Sequence, residues 1–311
     1  MTQTMKSMRD GLGVVVVSLA ALALAAPVAT AGKRVADFFP KTTGSGSLGG
    51  QFNEPRGIAV RHSTGQIYVA DDNNHRVQRF SADGAFERAW GRNVSASQTS
   101  GNDGGNPAFA YEICTTASDC RGGSSTAAVG GFTGSRGGMF DNPQGVAVNQ
   151  DTGHVYVRDR DNRRVQQFDA DGNFIRAWGW DVTAGGSANF EICTVAADCK
   201  QATSGNGDGQ FGASVGQAAV TGMAIDPTTG DVFVADPGSG AAPVNRRVQQ
   251  FTSAGAFVAK FGTVGPGPGQ LGDAFNGGAG DQPWRLTVGS DGIVYMSDGS
   301  FGGTQPPWST I

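Results

Sequence analysis

An all-β fold of the β-propeller type, with about three and a half four-stranded blades in view, is what this sequence predicts. Two observations lead there. A unit of roughly 42 residues recurs along the chain, and each full copy holds four short runs of β-branched and aromatic residues parted by Gly, Asp, Asn or Thr-Gly turns. Composition agrees: 50 Gly and 13 Pro among 311 residues disfavour a helical bundle, while 18 Phe and 5 Trp can fill a core. The glycines keep no three-residue period, which excludes a collagen helix. A four-stranded sheet cannot cover its own faces, so the copies must stack around an axis.

Residues 1–31 are expected to be a signal peptide. Lys6 and Arg9 precede the apolar run Val14–Ala26, and Ala29-Thr30-Ala31 forms a small-x-small exit. The alternative is a retained anchor, since Gly11 to Ala31 nearly spans a bilayer. Cleavage after Ala31 leaves 21 basic and 26 acidic residues, a formal charge of −5. That charge gives no basis for a nucleic-acid partner. No later stretch is apolar for long enough to insert stably in a membrane. The expected location is outside the cell.

Residues 32–49 hold a short strand, Val35–Pro40, and a Gly/Ser linker; the propeller is expected over 50–311. The first blade (50–91) runs Gly50-Gln51-Phe52, Pro55 to Val60, Ile67 to Asp71, Arg76 to Phe80 and a closing Ala89-Trp90-Gly91. The second (138–179) repeats it from Gly138-Met139-Phe140 to Ala177-Trp178-Gly179, and the third (209–262) again from Gly222 to Gly262. In the fourth (269–311) the pattern is visible from Pro283 to Asp298 and then stops.

The strings Gly50-Gln51-Phe52, Pro55-Arg56-Gly57-Ile58-Ala59-Val60, Ile67-Tyr68-Val69-Ala70-Asp71 and Arg76-Val77-Gln78-Arg79-Phe80 closely resemble the NHL repeat. The resemblance implies a propeller, and NHL propellers are usually six-bladed. Three complete blades and half of a fourth therefore suggest a truncated chain, or one that self-associates through its open propeller ends.

Insertions occupy 92–137 and 180–208, and they are copies of each other. Cys114 and Cys120 in one answer to Cys193 and Cys199 in the other, each 79 residues on. In an exported chain these suggest disulfides, and local pairing is favoured because each insertion carries its own pair. A shared four-cysteine zinc site is the alternative.

An Asp ends the second strand of every blade (Asp71, Asp159, Asp236, Asp298), followed by Arg76, Arg164 or Arg247. Such a ring of carboxylates suits a cation or substrate, but a feature common to all blades more often serves the repeat. The expected role is turn capping, with the Arg tying one blade to the next. The three histidines, His62, His75 and His154, are expected at surface turns. No metalloprotease, nucleophile-elbow or phosphate-loop string occurs, so no catalytic residue, resident metal or cofactor is expected. Asn93-Val94-Ser95 fits a glycosylation acceptor, a short motif common by chance.

Positions that vary within the repeat frame are better binding candidates. The column before the first strand reads Arg56, Gln144, Thr221 and Trp284, and the next reads Gly57, Gly145, Gly222 and Arg285. By the resemblance this loop lies near the axis at one face, which nominates Arg56, Gln144, Thr221, Trp284 and Arg285. The expected function is non-enzymatic binding of a protein or glycan. The alternative is a metal-dependent propeller enzyme resembling peptidyl amidating lyases or lactonases.

Overall fold

A computed structural model describes residues 45–97, 111–124, 135–212, 222–237, 245–262 and 282–299. The expected signal peptide and the strand at Val35–Pro40 lie outside these residues. Four antiparallel sheets follow one another along the chain. The first runs β1 (Pro55–Val60), β2 (Ile67–Asp71), β3 (Arg76–Phe80), β4 (Phe86–Arg92), β5 (Tyr111–Cys114), in that spatial order. The second runs β6 (Pro143–Val148), β7 (Val155–Asp159), β8 (Arg164–Phe168), β9 (Phe174–Trp180), β10 (Phe190–Cys193). The third holds β11 (Met223–Ile225), β12 (Val232–Asp236), β13 (Arg247–Phe251) and β14 (Phe257–Phe261), and the fourth pairs β15 (Gln282–Val288) with β16 (Val294–Gly299).

Four-stranded blades were expected, yet the first two sheets have five strands. The insertions supply the fifth. Asn93 and Asp181 turn the chain with φ of 55° and 56°, values that Asn and Asp tolerate. The chain then returns as β5 along β4 and as β10 along β9. Glu112 Oε2 accepts the Ser95 N–H at 2.7 Å, and Glu191 Oε2 accepts that of Thr183 at 2.9 Å. Cys114 is bonded to Cys120 and Cys193 to Cys199, with S–S distances of 2.10 and 2.12 Å. No free cysteine remains, which removes the zinc alternative. Each pair packs on a fully buried valine, Val94 or Val182, so the insertions carry small cores of their own.

The recurring Asp and Arg build one buried network in three sheets. Asp71 Oδ2 accepts from Arg76 Nε at 2.8 Å, Asn74 Nδ2 at 2.9 Å and Gln78 Nε2 at 3.0 Å, while Oδ1 accepts the Asn53 N–H at 2.7 Å. Asp159 repeats this with Arg164 (3.0 Å), Asn162 (2.8 Å), Gln166 (2.9 Å) and the Asp141 N–H (2.8 Å). Asp236 does so with Arg247 (3.0 Å), Asn245 (2.7 Å), Gln249 (3.2 Å) and the Gly212 N–H (3.0 Å). The guanidinium ends correct one expectation. Arg76 donates to the carbonyls of Ser47, Leu48, Gln51 and Arg121, so it fastens the lead-in segment and the insertion to its own blade rather than to the next. The reason is reach: Arg76 stands beside the β2–β3 turn, and the lead-in carbonyls lie within hydrogen-bond distance of its guanidinium. Burial pushes Asp159 up to about 6 and Arg164 down, each held ionised by its partner. Removing one member of such a pair costs about 3–5 kcal/mol, because it strands the other charge.

Aromatic residues join the blades. Trp90 of the first sheet lies 6.0 Å from Phe168 of the second, and Trp178 of the second lies 5.9 Å from Phe251 of the third. Both tryptophans are fully buried, and truncating such a residue costs about 3–5 kcal/mol. The facing hairpins give room only because they carry Gly. Gly172 has φ +88°, and a Cβ there would sit 2.9 Å from Trp90 Cδ2.

Candidate functional site

The first strands of the four sheets lie next to one another, β1 by β6, β6 by β11 and β11 by β15. They enclose a groove of about 270 Å³ lined by Ile58, Val60, Val148, Ile225 and Val288, with His62 and Asp226. A second cavity of about 140 Å³ shares Ile58, Val146, Met223 and Leu286 with it and opens beside Arg56, Gln144, Gly222 and Arg285. This is the mouth of the groove. It brings together three of the five nominated residues. Thr221 and the side chain of Trp284 lie outside the described residues.

The sequence explains how these side chains come to the mouth. Arg56 and Gln144 each follow a Pro at the first strand position, where the ladder needs no N–H, and Trp284 follows Pro283 at the second. Register then shifts between Pro55 and Gly57, Pro143 and Gly145, and Pro283 and Arg285, so Arg56, Gln144 and Trp284 each stand at a bulge. A bulge frees its extra residue from pairing and re-aims it. Gly57 admits the neighbouring strand closely, for a Cβ there would meet Gln144 O at 2.2 Å.

Arg56 is half-buried. Its Nε lies 3.2 Å from Asp72 Oδ2 and its Nη2 2.9 Å from Glu54 Oε2. Gln144 is fully buried and donates through Nε2 to the same Asp72 oxygen at 3.3 Å, while its Oε1 has no hydrogen-bond partner among the described residues. Burial raises the Asp72 carboxyl, against hydrogen bonds from Asn142 and Gln144 and the charges of Arg160 and Arg56. Arg285 is exposed. The mouth thus combines two guanidinium groups, a buried carboxylate and an unmet amide acceptor. Such a set can hold polar ligand groups.

Asp72 was missed by sequence reasoning, which stopped at the invariant Asp before it. The available signal was variation at that next position, which reads Asp72, Arg160 and Pro237. Arg158 was also missed, although the other blades have Ala70 and Ala235 there. Its buried guanidinium lies 4.1 Å over the Phe211 ring, and burial pushes it down to about 10. The expectation of surface histidines fails at His75. That side chain is 15% exposed, and its Nδ1 accepts the Asn142 N–H of the next blade at 3.1 Å. Its φ of 45° ends a short 3-10 turn and sends the ring into the junction. In the sequon, Asn93 binds Ser124 and Arg121, and Ser95 is buried. Among the described residues no group of three or more His, Cys, Asp or Glu side chains is placed to hold a metal ion.

The family described as NHL repeat matches residues 52–80 and 140–168. The B-box type zinc finger protein ncl-1 of Caenorhabditis elegans is 52% identical over 42 residues, 14% of this chain and 5% of that protein. Protein brain tumor of Drosophila melanogaster is 27% identical over 135 residues, 43% of this chain and 9% of that protein. The chain thus spans less than a tenth of the length of either relative. Among solved structures, a chain of a nidogen/laminin complex is similar over 79% of this chain and 56% of its own, at 14% identity and a TM-score of 0.37.

Proposed function

As a member of the NHL-repeat β-propeller family, this chain is built from stacked blades, and we propose that it is an exported, non-enzymatic scaffold binding a protein or glycan at the groove mouth. One observation carries the reading. The recurring Asp and Arg of the first three blades are engaged in the Asp71-type network, whereas Arg56, Gln144 and Arg285, at positions that vary between blades, meet at one cavity. Polar groups that the repeat does not hold in common, gathered in a concavity, are placed to recognise a ligand. Two disulfides fit an oxidising compartment. No described helix is long and apolar enough to cross a membrane.

The test is ligand capture on protein and glycan arrays with the full chain and with an Arg56→Ala, Arg285→Ala double variant. A genuine mouth ligand should bind the variant about tenfold more weakly or worse. Unchanged binding would overturn the site. Stoichiometric metal in the purified chain, together with turnover of an ester or lactone, would overturn the non-enzymatic reading in favour of a propeller enzyme.

A further inference from the structure

The junction between the first and second sheets and that between the second and third use the same repeat positions, but they are filled differently. At the first, Arg79 Nε lies 2.6 Å from Glu87 Oε2, and its Nη1 reaches Asp171 Oδ1 at 3.2 Å. Arg88 Nη1 meets the same carboxylate at 3.1 Å. The Arg61 guanidinium lies against Gly153, where a Cβ would come within 2.6 Å of it. Ion pairs and long side chains thus occupy this junction.

At the second junction four of those five fillers are shorter or uncharged. The register places Gln167 where Arg79 stands, both opposite an Arg of the next strand. Ile175 replaces Glu87, Asn149 replaces Arg61, and Ala254 replaces Asp171 in the hairpin before the glycine. Arg176 is retained. It donates to Ala254 O at 2.9 Å as Arg88 does to Asp171 O at 3.0 Å, yet it has no carboxylate partner among the described residues. The substitutions leave a cleft of about 370 Å³, within the roughly 300–1,000 Å³ range of small-molecule sites.

The walls of the cleft are polar and ordered. Gln167 Nε2 lies 3.0 Å from His154 Nδ1 and 3.0 Å from the Tyr156 hydroxyl, which donates to Ser253 O at 3.1 Å. Gln167 is 3% exposed, and its Oε1 has no hydrogen-bond partner among the described residues. With Nδ1 accepting from Gln167, the neutral His154 ring carries its proton on Nε2 and offers a donor. Thr228 and Thr229 complete the far wall.

We propose that this cleft binds a hydroxylated monocarboxylate, a sugar acid of the hexuronate type, whose carboxylate takes the place that Asp171 holds at the first junction. Arg176 receives the carboxylate, since a guanidinium matches it in two parallel hydrogen bonds. A ligand hydroxyl donates to Gln167 Oε1, the buried acceptor that the protein leaves unmet. Asp151 lines the cleft and Asp169 acts on His154 through its charge, so a ligand with several negative groups is disfavoured and a single carboxylate fits. The cleft borders the axial groove at Asn149 and Asp151 but involves none of the mouth residues, so it stands apart from the mouth ligand.

Calorimetric titration of the full chain with glucuronate, glucose and acetate tests this. Glucuronate is expected to bind saturably, with glucose and acetate each weaker by about tenfold or more. Ala254→Asp rebuilds the carboxylate of the first junction, and it should abolish glucuronate binding without lowering the melting temperature. Should that variant fold poorly, Arg176→Gln decides, by losing the preference for glucuronate over glucose. Absence of saturable binding at millimolar glucuronate, or binding unchanged in both variants, would overturn the site. Acetate equal to glucuronate, or an acidic peptide preferred to it, would overturn the sugar-acid assignment.

Discussion

His75 shows how one side chain can join two blades. Its Nδ1 accepts the Asn142 N–H, which requires the imidazole to be neutral with its proton on Nε2. Burial holds its pKa below the ordinary 6.5, against the upward pull of Asp141, Asp72, Asp161 and Asp71. A base with a lowered folded pKa takes up its proton first in the unfolded chain. Its contribution is therefore fully present above 6.5 and is lost as pH falls towards the folded value. Asp159 acts with the opposite sign, because its raised carboxyl favours the folded state below 3.8 and loses that contribution as pH rises through about 6. Comparing variants isolates the histidine. The urea midpoint of the parent chain is expected to fall more steeply between about pH 7 and pH 5 than that of His75→Gln. Parallel profiles would show that the ring titrates as in water.

At the scale of elements, the insertions are the part of the fold whose role changed most on seeing the structure. In the sequence they are paired copies set between four-stranded blades, and in the structure each contributes an outer strand and a buried valine beside its disulfide. The bond closes a ring with a sequence separation of 6, and the chain-entropy estimate for so small a ring is about 2 kcal/mol. Replacing Cys193 and Cys199 together by Ser should destabilise the fold by about that amount. Hydrogen exchange should rise along β10 first, since β10 then hangs on its pairing with β9 and on the Glu191 carboxylate. Non-reduced peptide mapping checks the connectivity, with Cys114–Cys120 and Cys193–Cys199 as the expected crosslinks. An intact exchange pattern in the double variant would mean that Glu191 and the ladder suffice.

Across the whole molecule, apolar side chains remain in water on the outermost described sheets. Ile58 and Val60 of β1 are 56% and 40% exposed, and Ile293 and Tyr295 around β16 are 49% and 44%. In the second sheet the equivalents of the first pair, Val146 and Val148, are 5% and 6% exposed because the neighbouring blades cover them. Exposed apolar surface of this kind favours association. Light scattering on the full chain is expected to show concentration-dependent oligomers through these sheets. A strictly monomeric, cooperatively unfolding chain would show that this surface is covered from within.

The repeat made much of the fold legible in advance. Runs of β-branched and aromatic residues, Thr-Gly and Asp-Gly turns and the Asp-to-Arg spacing mark the four repeat strands of a blade, because hairpin pairing is local, whereas the fifth strands β5 and β10 carry no such mark. Matched cysteines within one insertion likewise announce a local crosslink. Stacking is different, for it joins residues that no local rule connects. Arg56 and Gln144 are neighbours at the mouth only because the second blade lies against the first, and the Gln150 side chain reaches back to Val60 across that same seam. The cleft beside Arg176 depends on Ala254, a residue unremarkable in its own hairpin, standing where the previous junction places a carboxylate. Sequence determined the blades; tertiary packing alone decided which variable residues face one another, since their meeting depends on how the sheets are stacked around the axis.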